Sequence, residues 1–217
     1  MLSYRIRQIT IKKIQIMITG NVTVCGRIDR TATTSTNKKG EKVTSVTIKV
    51  NLPEGNKSSQ CIIQIRQKGE ASPELKKFRT GNLIEVNGKL FLRKYKNETY
   101  IFLTPDDLSQ ADNDSKEGIK GELEVYGKIG DEAKICDSQK GKKYLRFSTY
   151  SSELNGKERE FTWVKCIRFG EEKEDFVKKG AAIHLTGEIK AEMYKGKISL
   201  TCFVKYLSPW QKNNKEG

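Results

Sequence analysis

The chain has few of the residues on which metal sites and catalysis commonly depend. His184 is the one histidine in 217 residues, which excludes metal sites with several histidine ligands and relays built from several imidazoles. The five cysteines form no Cys-x-x-Cys pair, so the spacing of a zinc ribbon is absent. We expect His184 to have a structural or surface role, the cysteines to be small buried hydrophobic residues, and the protein to hold no metal and no cofactor.

Long apolar runs are also missing. No stretch approaches the roughly 18 apolar residues that a membrane helix needs. Residues 1–16 interrupt every apolar stretch with Lys, Arg or Gln, unlike the apolar region of a secretory signal. An odd number of cysteines further favours a reducing compartment. The sequence therefore predicts a cytoplasmic protein with no membrane partner.

Motifs of the common enzyme classes are absent as well. The sequence contains no GxxxxGK[ST] phosphate loop and no glycine-rich dinucleotide fingerprint. Its acidic pairs, Asp106-Asp107 and Glu171-Glu172, fall in a predicted linker and a predicted solvated helix. A nuclease, a ligase fragment or an NTPase is thus disfavoured, and we predict that the protein is not an enzyme.

Positive charge is what the chain has in excess. Its 41 Lys and Arg against 27 Asp and Glu give a formal net charge of +14, which favours a polyanionic partner, nucleic acid before an anionic membrane surface. Residues 1–110 carry 20 cations and 9 acids, whereas residues 111–217 carry 21 and 18. Of the 18 aromatic residues, 12 lie in the second half. We infer an electrostatic first half and a stacking second half.

An internal repeat organises the chain. The segment 20–28, GNVTVCGRI, corresponds to 121–129, GELEVYGKI, at an offset of 101 residues. The segment 81–90, GNLIEVNGKL, corresponds to 180–189, GAAIHLTGEI, at an offset of 99. Two copies of one fold are therefore predicted.

Each copy is predicted to be almost entirely β, because apolar residues alternate at period two. The predicted core positions are Val22, Val24, Ile28, Val46, Ile48 and Val50 in the first copy and Leu123, Val125, Ile129, Phe147 and Thr149 in the second. Phe176 and Phe203 are also expected in the core.

One short helix per copy is expected, over 70–79 and 171–179, followed by two strands joined by a tight hairpin after Tyr95 or Tyr194. Five strands with a helix between the third and fourth is the order of the OB barrel. The fold class predicted is all-β, with two tandem OB-fold five-stranded barrels.

The domain boundaries follow from composition. The segment 105–118 is polar and rich in turn residues, which is typical of a linker. The predicted division is a basic, isoleucine-rich leader over 1–16, a first OB domain over 17–108, a linker over 109–118, a second OB domain over 119–210 and a flexible tail over 211–217.

The second copy resembles the bacterial single-stranded DNA-binding protein family. The matching residues are WVKCIRFG at 163–170, VKKG at 177–180, IHLTGEI at 183–189 and the Tyr194 that enters a hairpin. The resemblance implies that Trp163 and Phe169 on the third strand, and Tyr194 after the fourth, stack bases of the DNA. In the first copy Ile62 and Lys68 stand at the first two positions and only Tyr95 keeps an aromatic ring. The acidic tail with a terminal Phe that some family members carry has no counterpart here.

The function predicted is sequence-independent binding of single-stranded DNA in replication, recombination or DNA transfer. Aromatic faces would stack bases while cations displace counterions from phosphates. The candidate cations are Arg66, Arg93, Lys94, Lys96, Lys165 and Arg168. An RNA-binding OB protein and an OB-fold protein-interaction adaptor are the alternatives.

A homodimer with four OB folds is also predicted, because the resembled family usually assembles four barrels. Ile9, Ile11, Ile14 and Ile16 in the leader alternate as a strand that could extend a partner's sheet edge.

Overall fold

The computed structural model describes residues 18–95, 98–155 and 158–211. The predicted leader and the tail beyond residue 211 lie outside these ranges. The elements, in chain order, are β1 (Ile18–Thr36), β2 (Lys42–Glu54), β3 (Lys57–Lys68), α1 (Pro73–Lys77), β4 (Leu83–Tyr95), β5 (Glu98–Gln110), β6 (Gly118–Ile129), β7 (Lys134–Asp137), β8 (Lys143–Asn155), β9 (Glu158–Phe169), β10 (Ala182–Tyr194) and β11 (Lys197–Pro209).

The first five strands close into a barrel. Each of β1–β2, β2–β3, β4–β5 and β1–β4 pairs antiparallel, and a short parallel pairing of β3 with β5, from Ile63 with Ile101 to Ile65 with Leu103, completes the ring. The core alternation has the predicted period, since Val46, Ile48 and Val50 are buried while their neighbours are not. This strand order is that of the OB barrel.

The second barrel repeats the order with β6, β8, β9, β11 and β10. A parallel pairing of β9 with β11, from Leu200 with Val164 to Phe203 with Ile167, closes it. In the first copy β1 continues as one strand into its pairing with β2. In the second copy the corresponding strand, β6, ends at Ile129, and the short β7 pairs with β8 instead. The core residues predicted for this copy, from Leu123 to Thr149, are all buried. The all-β prediction with two tandem OB barrels is confirmed.

The two barrels share one continuous sheet. Strand β1 pairs antiparallel with β6, from Ile18 with Val125 to Cys25 with Gly118, so the first strands of the two copies lie side by side. Residues 111–117 connect β5 to β6. Across this junction, Glu117 accepts a hydrogen bond from the backbone N–H of Asn51 at 2.8 Å and pairs with Arg27 at 3.2 Å.

The helix prediction is correct only in part. In the first copy Ser72 caps α1 by accepting a hydrogen bond from the N–H of Leu75 at 3.2 Å, and Pro73 begins the helix. In the second copy no helix forms over 171–179, where the segment is two residues shorter and where Lys173, at the position of Ser72, cannot accept that bond. Turns replace the helix there and still bury Val177. The acidic pair Asp106-Asp107, assigned to a linker from composition, lies within β5 instead.

Both predicted hairpins have the tight two-residue connection. Tyr95 pairs with Glu98 and Tyr194 pairs with Lys197. In the second hairpin Lys195 has φ 50° and Gly196 has φ 73°, as a type I′ turn requires. In the described part of the chain, no helix has the length and apolar character needed to cross a membrane.

Candidate nucleic-acid interface

Strand β9 presents a row of aromatic and cationic side chains on its outer face. Because side chains alternate along a strand, Phe161, Trp163, Lys165 and Phe169 point away from the core that Val164 and Cys166 enter. Trp163 is 51% exposed and Phe169 is 70% exposed. Grouped, exposed aromatic rings are unusual on a protein surface, and such a group marks an interaction site.

The ring of Trp163 rests on a flat support. A Cβ at Gly130 would lie 2.3 Å from Cζ3 of Trp163, so the indole lies directly over the glycine backbone. Tyr150, the cross-strand partner of Trp163 on β8, contacts it with ring centroids 4.9 Å apart, and Phe161 packs against the other edge of Tyr150 at 5.6 Å. These contacts fix the orientation of the indole while leaving half of its surface open.

Tyr194 lies across a cleft from Trp163. The ammonium groups of Lys165 and Lys195 lie 5.9 Å and 5.4 Å from the centroid of the Tyr194 ring, which is 62% exposed. The cleft has a volume of about 420 Å³. Its lining comprises Ser148, Trp163, Val164, Lys165, Tyr194, Lys195, Lys197, Ile198, Ser199 and Leu200. Two aromatic faces and three cations therefore surround one apolar-floored cleft.

A residue of the first barrel holds the hairpin that carries Tyr194. The carboxylate of Glu54, at the end of β2, accepts a hydrogen bond from the backbone N–H of Gly196 at 3.1 Å. Hydrogen bonds from the Ser59 hydroxyl and then from the Gly196 N–H hold the pKa of Glu54 below its ordinary value. The position of the Tyr194 hairpin therefore depends on both barrels.

Phe169 extends the aromatic row to the other end of β9. Its ring stacks on that of Phe203 from β11 with centroids 6.1 Å apart and planes 3° apart. Phe203, expected in the core, is instead partly exposed on the outer face. The correction has a physical reason, because Cys202 and Val204 on either side of Phe203 enter the core, so alternation along β11 turns the Phe203 ring outward.

Arg168 is placed differently from the other predicted cations. It points to the opposite face of β9 and forms a bidentate pair with Glu174, with Nη1–Oε1 and Nη2–Oε2 distances of 2.5 and 2.8 Å. It also donates to the carbonyl oxygen of Glu172. The Arg168 side chain is 16% exposed. This geometry gives Arg168 a structural role in holding the 171–179 segment.

The first barrel lacks the aromatic support at the corresponding positions. Asp29, Lys49 and Ile62 stand where the second barrel has Gly130, Tyr150 and Trp163. The Lys49 ammonium pairs with the Asp29 carboxylate at 2.7 Å, so an ion pair occupies the place of the aromatic cluster. Ile62 is exposed. Lys68, at the position of Phe169, ends β3 as an exposed cation.

Cations and rings do meet elsewhere on the first barrel. The Arg66 guanidinium lies 4.2 Å from the centroid of Phe102, which stacks on Tyr100 at 6.5 Å. Burial, with a further effect from nearby Arg93, lowers the pKa of Arg66. Arg93 itself is exposed on β4. This group forms a second patch on the outer face of β3, β5 and β4.

The remaining predicted residues lie at or near the β4–β5 hairpin. Lys94 donates a hydrogen bond to the carbonyl oxygen of Phe161 at 3.2 Å, so it reaches across to the second barrel. Tyr95 is the last residue of β4. Lys96 lies outside the described residues.

Sequence reasoning missed several contributors to the cleft. Phe161 could have been predicted from the sequence, because Phe161 precedes Trp163 by two residues and so shares its strand face. Tyr150 and Gly130 could not have been predicted in this way. Only the register between β8 and β9 brings Tyr150 next to Trp163, and only the position of the residue after β6 brings Gly130 under it. Lys195 and Lys197 flank the predicted hairpin and could have been named from it.

His184 and four of the five cysteines have the placements expected, and Cys136 is the exception. His184 stacks on Tyr126 with ring centroids 4.2 Å apart and contacts Glu124 at 3.1 Å. Cys25, Cys61, Cys166 and Cys202 are buried, whereas Cys136 is partly exposed on β7. Within residues 18–95, 98–155 and 158–211, no three His, Cys, Asp or Glu side chains are grouped so that they could hold a metal ion.

Comparison with known proteins gives similarity in structure alone. No protein-family model and no curated protein sequence matches the chain. The structure is similar to that of the single-stranded DNA-binding protein from Thermus aquaticus, with 10% identity, coverage of 91% of this chain and 96% of that one, and a TM-score of 0.44. It is also similar to a mitochondrial single-stranded DNA-binding protein of S. cerevisiae, with 20% identity, coverage of 43% and 98%, and a TM-score of 0.34. A replication protein A heterotrimer bound to single-stranded DNA is matched at 13% identity over 93% of this chain and 50% of that one, with a TM-score of 0.24.

Proposed function

We propose that this protein binds single-stranded DNA without sequence specificity. The observation that carries the proposal is the cleft between Trp163 and Tyr194, where two exposed rings face a shared space ringed by Lys165, Lys195 and Lys197. Every base has a π-face, so stacking on such rings binds a strand of any sequence. The lysines neutralise phosphates along the same path.

The first barrel contributes mainly charge. Arg66 and Arg93 lie on its outer face beside Phe102, and the ion pair of Asp29 with Lys49 takes the place of a stacking platform. Bases would therefore be held chiefly by the second barrel, while phosphates contact both. We place this activity in the handling of single strands during replication, recombination or DNA transfer, in the cytoplasm and with no catalytic step.

Removal of the Trp163 ring tests the proposal. Trp163→Ala should weaken the binding of an oligothymidylate by about 1–3 kcal/mol, measured by fluorescence anisotropy of labelled DNA. Ile62→Ala is the matched control, since Ile62 is the exposed residue at the corresponding position of the first barrel. Its effect on affinity should be much smaller.

Three further measurements test the interpretation. A loss of thermal stability in Trp163→Ala would mean that the ring serves packing, and equal affinity of the parent for single strand and duplex at every salt concentration would contradict stacking. Competition between DNA and RNA oligonucleotides of one sequence tests the RNA alternative, because no residue of the proposed site is assigned to reading a 2′-hydroxyl.

A further inference from the structure

A second, smaller cavity lies between the barrels and is lined by both. It has a volume of about 170 Å³. The first barrel contributes Leu92, Lys94 and Thr99 from its β4–β5 hairpin, and the second contributes Phe161, Thr162, Trp163, Lys197, Ile198 and Leu200. Trp163, Lys197, Ile198 and Leu200 also line the larger cleft, so the small cavity continues that cleft toward the first barrel.

The polar groups of this cavity suit an anion. Its lining includes one lysine from each barrel, Lys94 and Lys197, together with Thr99 and Thr162. Among the described residues that line it, none is acidic. An ammonium has three N–H donors, and the carbonyl oxygen of Phe161 takes one donor of Lys94 at 3.2 Å. That contact places the Lys94 ammonium beside the strand that carries Trp163.

We propose that this cavity binds a backbone phosphate of the nucleotide whose base stacks on Trp163. The inference rests on the proposed function and adds to it that the first barrel completes the binding site of the second. Because Trp163 lines both the cleft and the cavity, a base stacked on its exposed face would bring its sugar and phosphate close to the cavity. Lys94 then acts across the barrel boundary as a phosphate ligand.

The test uses the full chain and a short oligonucleotide. In a Trp210→Phe background Trp163 is the sole tryptophan, because the chain has two. An oligothymidylate of about 5 nucleotides is within the range that a single OB fold covers. Its binding is followed by quenching of Trp163 emission at several salt concentrations, which yields both the affinity and its dependence on salt.

Lys94→Met should weaken this binding about fivefold or more at low salt, because a charge-assisted hydrogen bond is lost. It should also lower the slope of log K against log[salt] by about one, as expected for one phosphate contact. Lys94→Arg, which keeps the charge and the donors, should restore both values. Lys89→Met is the matched control, since Lys89 is a cation of the same strand on the opposite face of β4, and we expect its effect to be about twofold or less.

The outcomes separate this inference from the proposed function. If Lys94→Met matches Lys89→Met, or weakens binding with an unchanged salt slope, the cavity holds no phosphate and Lys94 only supports the fold, while quenching in the parent still supports single-strand binding. If the parent shows no quenching, stacking on Trp163 is wrong and the proposed function is overturned with it.

Discussion

At the scale of single residues, the absence of a side chain at Gly130 matters as much as the presence of Trp163. The indole lies over the Gly130 backbone, and its other face is open to the cleft. Gly130 supports the ring although it has no side chain. The first barrel has Asp29 at this position and no platform. The two barrels therefore differ in the support as well as in the ring, since Asp29, Lys49 and Ile62 replace Gly130, Tyr150 and Trp163.

Gly130→Ala should therefore weaken single-strand binding by about 1 kcal/mol, because the new methyl group would lie 2.3 Å from Cζ3 of Trp163 and would tilt the indole away from Tyr150. The indole is half exposed and can move, so we expect little change in thermal stability. Affinity by anisotropy and melting by circular dichroism measure the two effects. Asp29→Ala, which breaks the ion pair of the first barrel, serves as the control, and an equal loss in that variant would contradict the special role of Gly130.

A second residue-scale effect concerns the pair of Arg168 and Glu174. The hydrogen bond from Arg168 holds the pKa of Glu174 below its ordinary value, so the pair stabilises the fold fully above the unfolded pKa and is lost as pH falls through the lowered value. Glu174→Gln should lower the free energy of unfolding by about 1 kcal/mol at neutral pH, with the difference shrinking between about pH 5 and pH 3. Urea unfolding at several pH values measures this. A difference that stays constant across this range would show that charge is not its source.

At the scale of elements, the β10–β11 hairpin connects the fold to the site. Its turn needs positive φ at Lys195 and Gly196, and its tip is held by Glu54 of the other barrel. The strain of a side chain at φ 73° means that Gly196→Ala should cost about 1 kcal/mol of stability. The variant should also weaken DNA binding, since the hairpin positions Tyr194.

Thermal melting and anisotropy of the Gly196→Ala variant measure these effects together. Glu54→Ala removes the anchor without straining the turn and should reproduce the loss of affinity with a smaller loss of stability. Unchanged DNA binding in both variants would show that the hairpin carrying Tyr194 does not contribute to the site.

At the scale of the whole molecule, the β1–β6 pairing makes the two barrels one sheet. Gly121 lies at the centre of this junction, where a Cβ would lie 2.2 Å from the carbonyl oxygen of Asn21 and where its φ is 134°. Gly121→Val should therefore separate the barrels and cost about 2 kcal/mol or more of stability. We expect the cooperative urea transition of the parent to become two transitions, and a single transition at an unchanged midpoint would contradict this.

The homodimer with four barrels stays a prediction at this scale. Light scattering of the full chain at tens of micromolar should give twice the chain mass of 24.7 kDa. The same measurement on a chain that begins at Met17 tests the role of the leader. This shortened chain should be a monomer if the isoleucine-rich strand of the leader forms the interface. A monomeric mass for the full chain removes the four-barrel arrangement.

The exposed positions of Trp163 and Tyr194 follow from the family resemblance of the second copy, whereas the sequence by itself determined the repeat, the strand order and the tight hairpins. These depend on local signals, since period-two alternation and turn residues act between neighbours in the chain. The short helix predicted for the second copy does not form, and the differences there are also local, since Lys173 replaces the capping Ser72 and the segment is two residues shorter. Composition alone did not reveal it, because the charged and apolar residues of the two segments are similar.

Tertiary structure alone decided which residues meet across long distances in the chain. Nothing in local spacing joins β1 to β6 or sets Gly130 and Tyr150 under Trp163. The same holds for Lys94, whose contact with Phe161 spans the two barrels. Such contacts form only when both copies have closed and packed, because closure of the barrels brings together surfaces that the chain order keeps apart.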